Sequence, residues 1–167
     1  MKRQKGFTLL ELLIVLAIIL VIASITIPSL IHMKINANET SAVAAIRAIQ
    51  AAQTSYQATY TAQGYAGSLA ALGGSDSCAP SPANACLIDE VLTTGTKAGY
   101  NFAVACANSV NGGNTTYVAS GAPAAYNHTG ARRFCATEKS LIRWDANTEG
   151  STTPPTAEEC ARFQAMR

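Results

Sequence analysis

The sequence predicts an α+β fold: a long N-terminal helix packed on a small four-stranded antiparallel sheet, with a connecting loop and a C-terminal tail. Three observations predict it. An uncharged run rich in Leu, Ile and Val fills Leu12–Ile31. A helical stripe continues beyond that run. The C-terminal half then alternates apolar and polar residues in short bursts divided by turn residues.

The first element is the helix. A helix of 20 apolar residues is about 30 Å long, the thickness of a bilayer's hydrocarbon core. Lys2, Arg3 and Lys5 precede it, which puts the N-terminus in the cytoplasm and the rest across the membrane. A secretory signal peptide fits poorly, because the run is too long and no A-x-A-type cleavage site follows it. Beyond the run, Ile35, Ala42, Ile49 and Tyr56 recur every seven residues, with Ile46 and Tyr60 interleaved. Glu39 and Gln53 fall on the same stripe and weaken it. One helix is therefore expected from Phe7 to Ala62, with residues 7–31 as its membrane half and 32–62 as its amphipathic half. Pro28 interrupts it, having no N–H to donate and a ring that crowds the preceding turn. Gly64 supplies the stop.

Residues 63–98 form the connecting loop, dominated by Gly, Ser, Pro and Ala. Leu69 with Leu72, and Leu87-Ile88 with Val91-Leu92, read as small helical pieces, the second ended by Gly95. Residues 99–167 hold the sheet and tail. Tyr100, Phe102, Val104 and Cys106 alternate with polar or small residues as a first strand. Thr115–Ser120 is a second, after the turn Asn111-Gly112-Gly113-Asn114. Arg133–Ala136 and Leu141–Asp145 form a hairpin around Thr137-Glu138-Lys139-Ser140. One sheet face needs a cover, and the stripe Ile35–Tyr60 is available. Tyr56, Tyr60 and Tyr65 are expected at the contact between helix and head.

Composition excludes several functions. The chain has 167 residues, of which 13% are charged, about half the usual share. Its formal charge of +2 comes from the first six residues, so no basic face remains for phosphate and no nucleic-acid binding is inferred. His32 lies at the membrane edge and His128 in a turn, and no nucleophile, Walker or dinucleotide pattern accompanies them. No enzyme activity, cofactor or metal is expected. Arg132-Arg133 reads as a solvated strand end. Asn38-Glu39-Thr40, Asn114-Thr115-Thr116 and Asn127-His128-Thr129 match the glycan acceptor pattern, a frequent accident.

Glu11 does not fit a plain membrane anchor, because a carboxylate at that depth is costly without a partner. It stands in the run Gly6-Phe7-Thr8-Leu9-Leu10-Glu11-Leu12-Leu13-Ile14-Val15. That run resembles the processing and assembly motif of type IV pilins and type II secretion pseudopilins. The resemblance implies a pilin fold and a leader, residues 1–6, removed between Gly6 and Phe7 by a membrane peptidase. Phe7 would then be N-methylated by the same peptidase/methylase system, and Glu11 would become the fifth mature residue. Pro28 falls where the family often has a helix-breaking proline. The implied partners are other copies in a helical filament, the prepilin peptidase and methylase, the pilus assembly machinery and the inner membrane. The implied localisation is single-pass in the inner membrane before assembly and in an extracellular filament afterwards. The physics agrees: a new α-amine at Phe7 is cationic, and pairing with a neighbour's Glu11 penalises misregistered packing.

Three readings follow: a structural pilin, a pseudopilin of type II secretion, and a membrane-tethered extracytoplasmic binding module. Asp145-Ala146-Asn147-Thr148-Glu149 spaces oxygen ligands as a calcium loop does, and some pseudopilins bind calcium near the C-terminus. It lacks the Gly and later Glu of an EF-hand, and a solvated turn is expected. All five cysteines lie on the oxidising side. Cys78 and Cys86 bracket a short Pro-containing loop and are paired. Cys106, on the apolar face, suits a buried free thiol. If Phe134 points inward, Cys135 points out and can staple the tail through Cys160, a closure resembling the C-terminal disulfide loop of many pilins. Pairing of Cys106 with Cys135 is the rival.

Overall fold

A computed structural model describes residues 7–74, 78–106, 108–110 and 112–166. Its elements are α1 (Leu9–Thr59), α2 (Leu69–Leu72), α3 (Glu90–Thr93), β1 (Thr96–Lys97), β2 (Tyr100–Cys106), β3 (Ser109–Val110), β4 (Gly113–Asn114), β5 (Tyr117–Pro123), β6 (Arg133–Thr137), β7 (Ile142–Asp145), α4 (Ala157–Arg162) and β8 (Gln164–Ala165). The chain divides into two units, one up to Lys34 and one from Ile35 onward, and α1 contributes to both.

In the first unit α1 carries almost only apolar side chains. Two of its three hydroxyl residues bond back to the helix: Ser24 Oγ donates to the Val21 carbonyl at 2.8 Å and Thr26 Oγ1 to the Ile22 carbonyl at 2.9 Å. Neither then presents an unmade hydrogen bond to an apolar surrounding. α1 runs through Pro28 as one helix, as the single span expected for it requires. What proline removes there is one donor, the N–H that the Ser24 carbonyl would accept.

In the second unit the buried face of α1 is Glu39, Ala42, Ala45, Ile46, Ile49, Ala52, Gln53 and Tyr56, a seam spaced by threes and fours. It packs with Tyr100, Phe102, Tyr117, Phe134 and Ile142 of the sheet. The helix ends at Thr59 rather than Ala62, and Gly64 follows with a φ of 69°, its N–H returning to the Tyr60 carbonyl. A side chain at Gly64 would collide with the Asn114 backbone, so this stop also lets β4 approach.

The sheet is larger than the four strands expected. Six strands pair antiparallel in the order β1-β2-β5-β6-β7-β8, and β3-β4 form a separate ribbon. The additional strands have two residues each, too short to show an alternation. Register places Gly121 between Phe102 and Phe134, and a Cβ there would press on the Phe102 ring at 3.0 Å. The missing side chain lets the two aromatics sit under Ile46.

β5 is buried at all seven positions, not at alternate ones. Its second face is covered too, by a small cluster of Val118, Cys135, Cys160 and Phe163. Cys135 therefore points away from α1 as expected, but into the cover formed by α4 rather than into solvent. Cys135 and Cys160 are bonded, with Cα atoms 5.9 Å apart, and Cys78 is bonded to Cys86, with Cα atoms 6.0 Å apart. Cys106 is the free thiol, half-buried, with its Sγ 3.5 Å from the Ala66 carbonyl. Burial pushes its pKa up, which disfavours the thiolate.

Closing the chain between Cys135 and Cys160 restricts the unfolded ensemble by about 3 kcal/mol in the chain-entropy account. Cys135→Ser with Cys160→Ser in the full chain in detergent should therefore lower the thermal midpoint by at least several degrees. A calorimetric scan checks this, and an unchanged midpoint contradicts it.

Candidate assembly surface

The candidate surface is the N-terminal part of α1 and the residues just before it. Gly6 and the expected leader, residues 1–6, lie outside the described residues, and Phe7 is 75% exposed. Thr8 caps α1: its Oγ1 accepts the Glu11 N–H at 3.2 Å, and its carbonyl accepts the Leu12 N–H at 3.3 Å. Thr8 Oγ1 also lies 3.4 Å from Glu11 Oε2, a donor contact that holds the carboxylate over the first turn. The carboxylate thus sits where the helix dipole favours a negative charge. Thr8-x-x-Glu11 is a capping-box pattern. That signal is readable in the sequence and identifies Thr8 as a positioning residue alongside Glu11.

From Leu9 to Met33 the large apolar side chains are 45–82% exposed. This helix is long and apolar enough to cross a membrane, and its most apolar stretch is not buried against the rest of the chain. An apolar surface of that extent needs lipid or other protein around it. One carboxylate at its N-terminal end is the only formal charge within α1 before Lys34.

The second unit is braced by polar groups that the sequence reading undervalued. Glu39 does not weaken the seam. Its Oε1 accepts the N–H groups of Ala131 and Arg132 at 3.0 and 3.1 Å, and its Oε2 accepts from the Arg132 guanidinium at 2.7 Å. Gln53 exchanges two hydrogen bonds with the Ala66 backbone, at 2.8 and 2.9 Å, and so ties the loop after α1 to the helix. The Arg132-Arg133 pair is not a solvated strand end. Arg132 pairs with Glu39 and lies over the Trp144 ring at 5.4 Å. Arg133 is buried, bonded to Asp145 at 3.1 Å and Glu159 at 3.0 Å, and stacks on Phe163 at 5.2 Å. Arg132 directly precedes β6 and Arg133 opens it; the two guanidiniums go to opposite faces of the sheet, and each finds a carboxylate there.

The Asp145–Glu149 turn is spent on the same bracing. Asp145 accepts from Arg133 and from the Asn147 N–H, and Asn147 is buried, exchanging two hydrogen bonds with Ser151. Among the described residues no cluster of three His, Cys, Asp or Glu side chains is spaced to hold a metal. Two asparagines of the glycan pattern use their amide nitrogens in the fold: Asn38 donates to the Thr129 carbonyl and Asn114 to the Tyr65 carbonyl. Of the tyrosines, Tyr56 meets Tyr60 at 4.9 Å between ring centroids and donates to the Pro82 carbonyl. Tyr65 packs on Tyr117 at 4.8 Å. Burial pushes the Tyr117 hydroxyl up to about 12 and raises Tyr100 further, so both stay neutral.

Glu159 is held below the ordinary carboxyl value, first by the Thr156 N–H it accepts at 2.8 Å, against its partial desolvation, and then by Arg133. Its folded pKa is depressed, so its stabilisation is complete above the unfolded value of about 4.5 and is lost as pH falls through the lower folded one. An NMR titration should place the Glu159 midpoint below 4.5. A midpoint above it contradicts the capping and ion-pair geometry at α4.

Comparison with known proteins bears on the same N-terminal segment. The family model for the prokaryotic N-terminal methylation motif matches residues 1–27. Over 57 residues the chain is 44% identical to the type IV wide pilus major component PilA4 of Thermus thermophilus. That stretch is 34% of this chain and spans 44% of the relative's length. No solved structure matches the chain. With this motif on a long helix and an antiparallel sheet, the chain resembles the type IV pilins and pseudopilins.

Proposed function

We propose that the chain is a structural subunit of a type IV pilus. After removal of residues 1–6, Phe7 becomes the methylated N-terminus and α1 exchanges lipid for the α1 helices of other copies. One observation carries the reading: an exposed apolar helix, with a single carboxylate in its first turn, inside a methylation motif. The chemistry is assembly, not catalysis. In a shared apolar core the cationic amine of one subunit pairs with Glu11 of its neighbour. A carboxylate left without that partner would be strongly disfavoured, so the pairing selects register. The braced second unit supplies the surface of the filament, and two disulfides suit it to an oxidising exterior. Before assembly the protein is anchored in the inner membrane, and its further partners are the peptidase/methylase and the assembly machinery. Electron microscopy of sheared surface fibres, with peptide mass fingerprinting, tests the reading. Fibres containing this chain support it, and fibres lacking it in cells that make the protein overturn it.

A further inference from the structure

In the unit from Ile35 onward, a groove of about 420 Å³ opens between α1 and β6. Its apolar lining includes Val43, Ala44, Phe134 and Met166, and Arg47 and Arg132 stand beside them. Glu39 already neutralises Arg132. Arg47 is exposed and, among the described residues, makes no ion pair, so the groove presents one uncompensated cation.

The same unit carries a surface of opposite character. Four large apolar side chains are exposed among its described residues, Leu87, Val91, Val110 and Leu141, and two of them are near neighbours in sequence, Leu87 (38% exposed) just ahead of α3 and Val91 (55%) within it. Glu90 lies between them, exposed and without an ion pair among the described residues, while neighbouring Asp89 is taken by Lys97 and by the α3 cap. This knob is apolar with one free anion, the complement of an apolar groove with one free cation.

The two features lie at opposite edges of the sheet. α3 packs beside β1, the first strand in the sheet order. The groove opens beside β6 and ends at Met166, which follows β8, the last strand. One copy cannot fill its own groove, and two different patches in contact make a heterologous interface, which extends as an open helix wherever its rotation does not close a ring.

We infer that the groove receives the Leu87–Val91 knob of a second copy, with Glu90 facing Arg47. This rests on the filament reading and names a contact between the second units of neighbouring copies, separate from the α1 packing. The test is charge reversal in cells making the full chain, read as filament recovered by shearing relative to total protein. Glu90→Arg and Arg47→Glu should each lower recovery about tenfold, and the double variant should return it to within about twofold of the original. Rescue excludes misfolding as the cause of the single losses. Unchanged recovery from the single variants, or no rescue in the double, overturns the inference while wild-type filaments leave the filament reading standing. Absence of filaments from the wild-type chain overturns both.

Discussion

Glu11→Ala should abolish most filament assembly while leaving leader removal intact. The carboxylate lies in the first turn of α1, steadied by Thr8, beside the amine that cleavage at Gly6 would create. Removing it deletes the one carboxylate available to that amine in a largely apolar packing surface. Pairing a buried charge is worth several kcal/mol relative to leaving its partner alone, and the loss recurs at every subunit contact. Recovered filament should fall by at least tenfold, with mature-length protein accumulating in the membrane. Immunoblots of sheared and membrane fractions check both quantities. Normal filament yield would contradict the pairing, and a block in processing would place Glu11 in peptidase recognition instead.

The largest effect on the stability of the second unit is expected from Glu39→Ala. Glu39 is 4% exposed and joins helix α1 to the Ala131-Arg132 segment, more than ninety residues away, through two backbone N–H groups and a guanidinium. Truncation leaves those donors without an acceptor. Loss of a buried ion-pair partner costs about 3–5 kcal/mol, and the partial exposure of Arg132 puts the expected value near the lower end, about 3 kcal/mol. Denaturant titration of the full chain in detergent measures it. Glu39→Gln should recover part of the loss, since its amide oxygen can still accept one of the N–H bonds. A change below about 0.5 kcal/mol would mean that the contact is incidental.

Both residues lie on α1, yet they were not equally legible in the sequence. Glu11 stood out because a lone carboxylate in an apolar run is anomalous by itself. Glu39 looked like a flaw in the stripe, because its partners are distant in sequence and no local pattern announces them. Gln53 is the same case, its purpose being the Ala66 backbone across a loop. The arginines at 132 and 133 were read as solvated for the same reason: charge suggests exposure unless the acceptors are known.

Strong local periodicity carried the rest. The apolar run, the seam Ala42-Ile46-Ile49-Tyr56 and the alternation in β2 each repeat often enough to be read. The edge strands β1 and β8 are two residues long and exist because a neighbouring strand offers hydrogen bonds. The uniform burial of β5 depends on α4 covering the second face, a tertiary fact fixed by the Cys135–Cys160 bond. The Thr8 cap is legible in the sequence through its three-residue spacing to Glu11.

The central claim is that a trimmed chain leaves the membrane by packing its apolar helix on copies of itself. Mass spectrometry of the N-terminal peptide from sheared surface material tests this most directly. The account predicts a peptide beginning at Phe7 with one methyl group on its α-amine. A chain that still begins at Met1 or Lys2, found only in the membrane fraction, would contradict it.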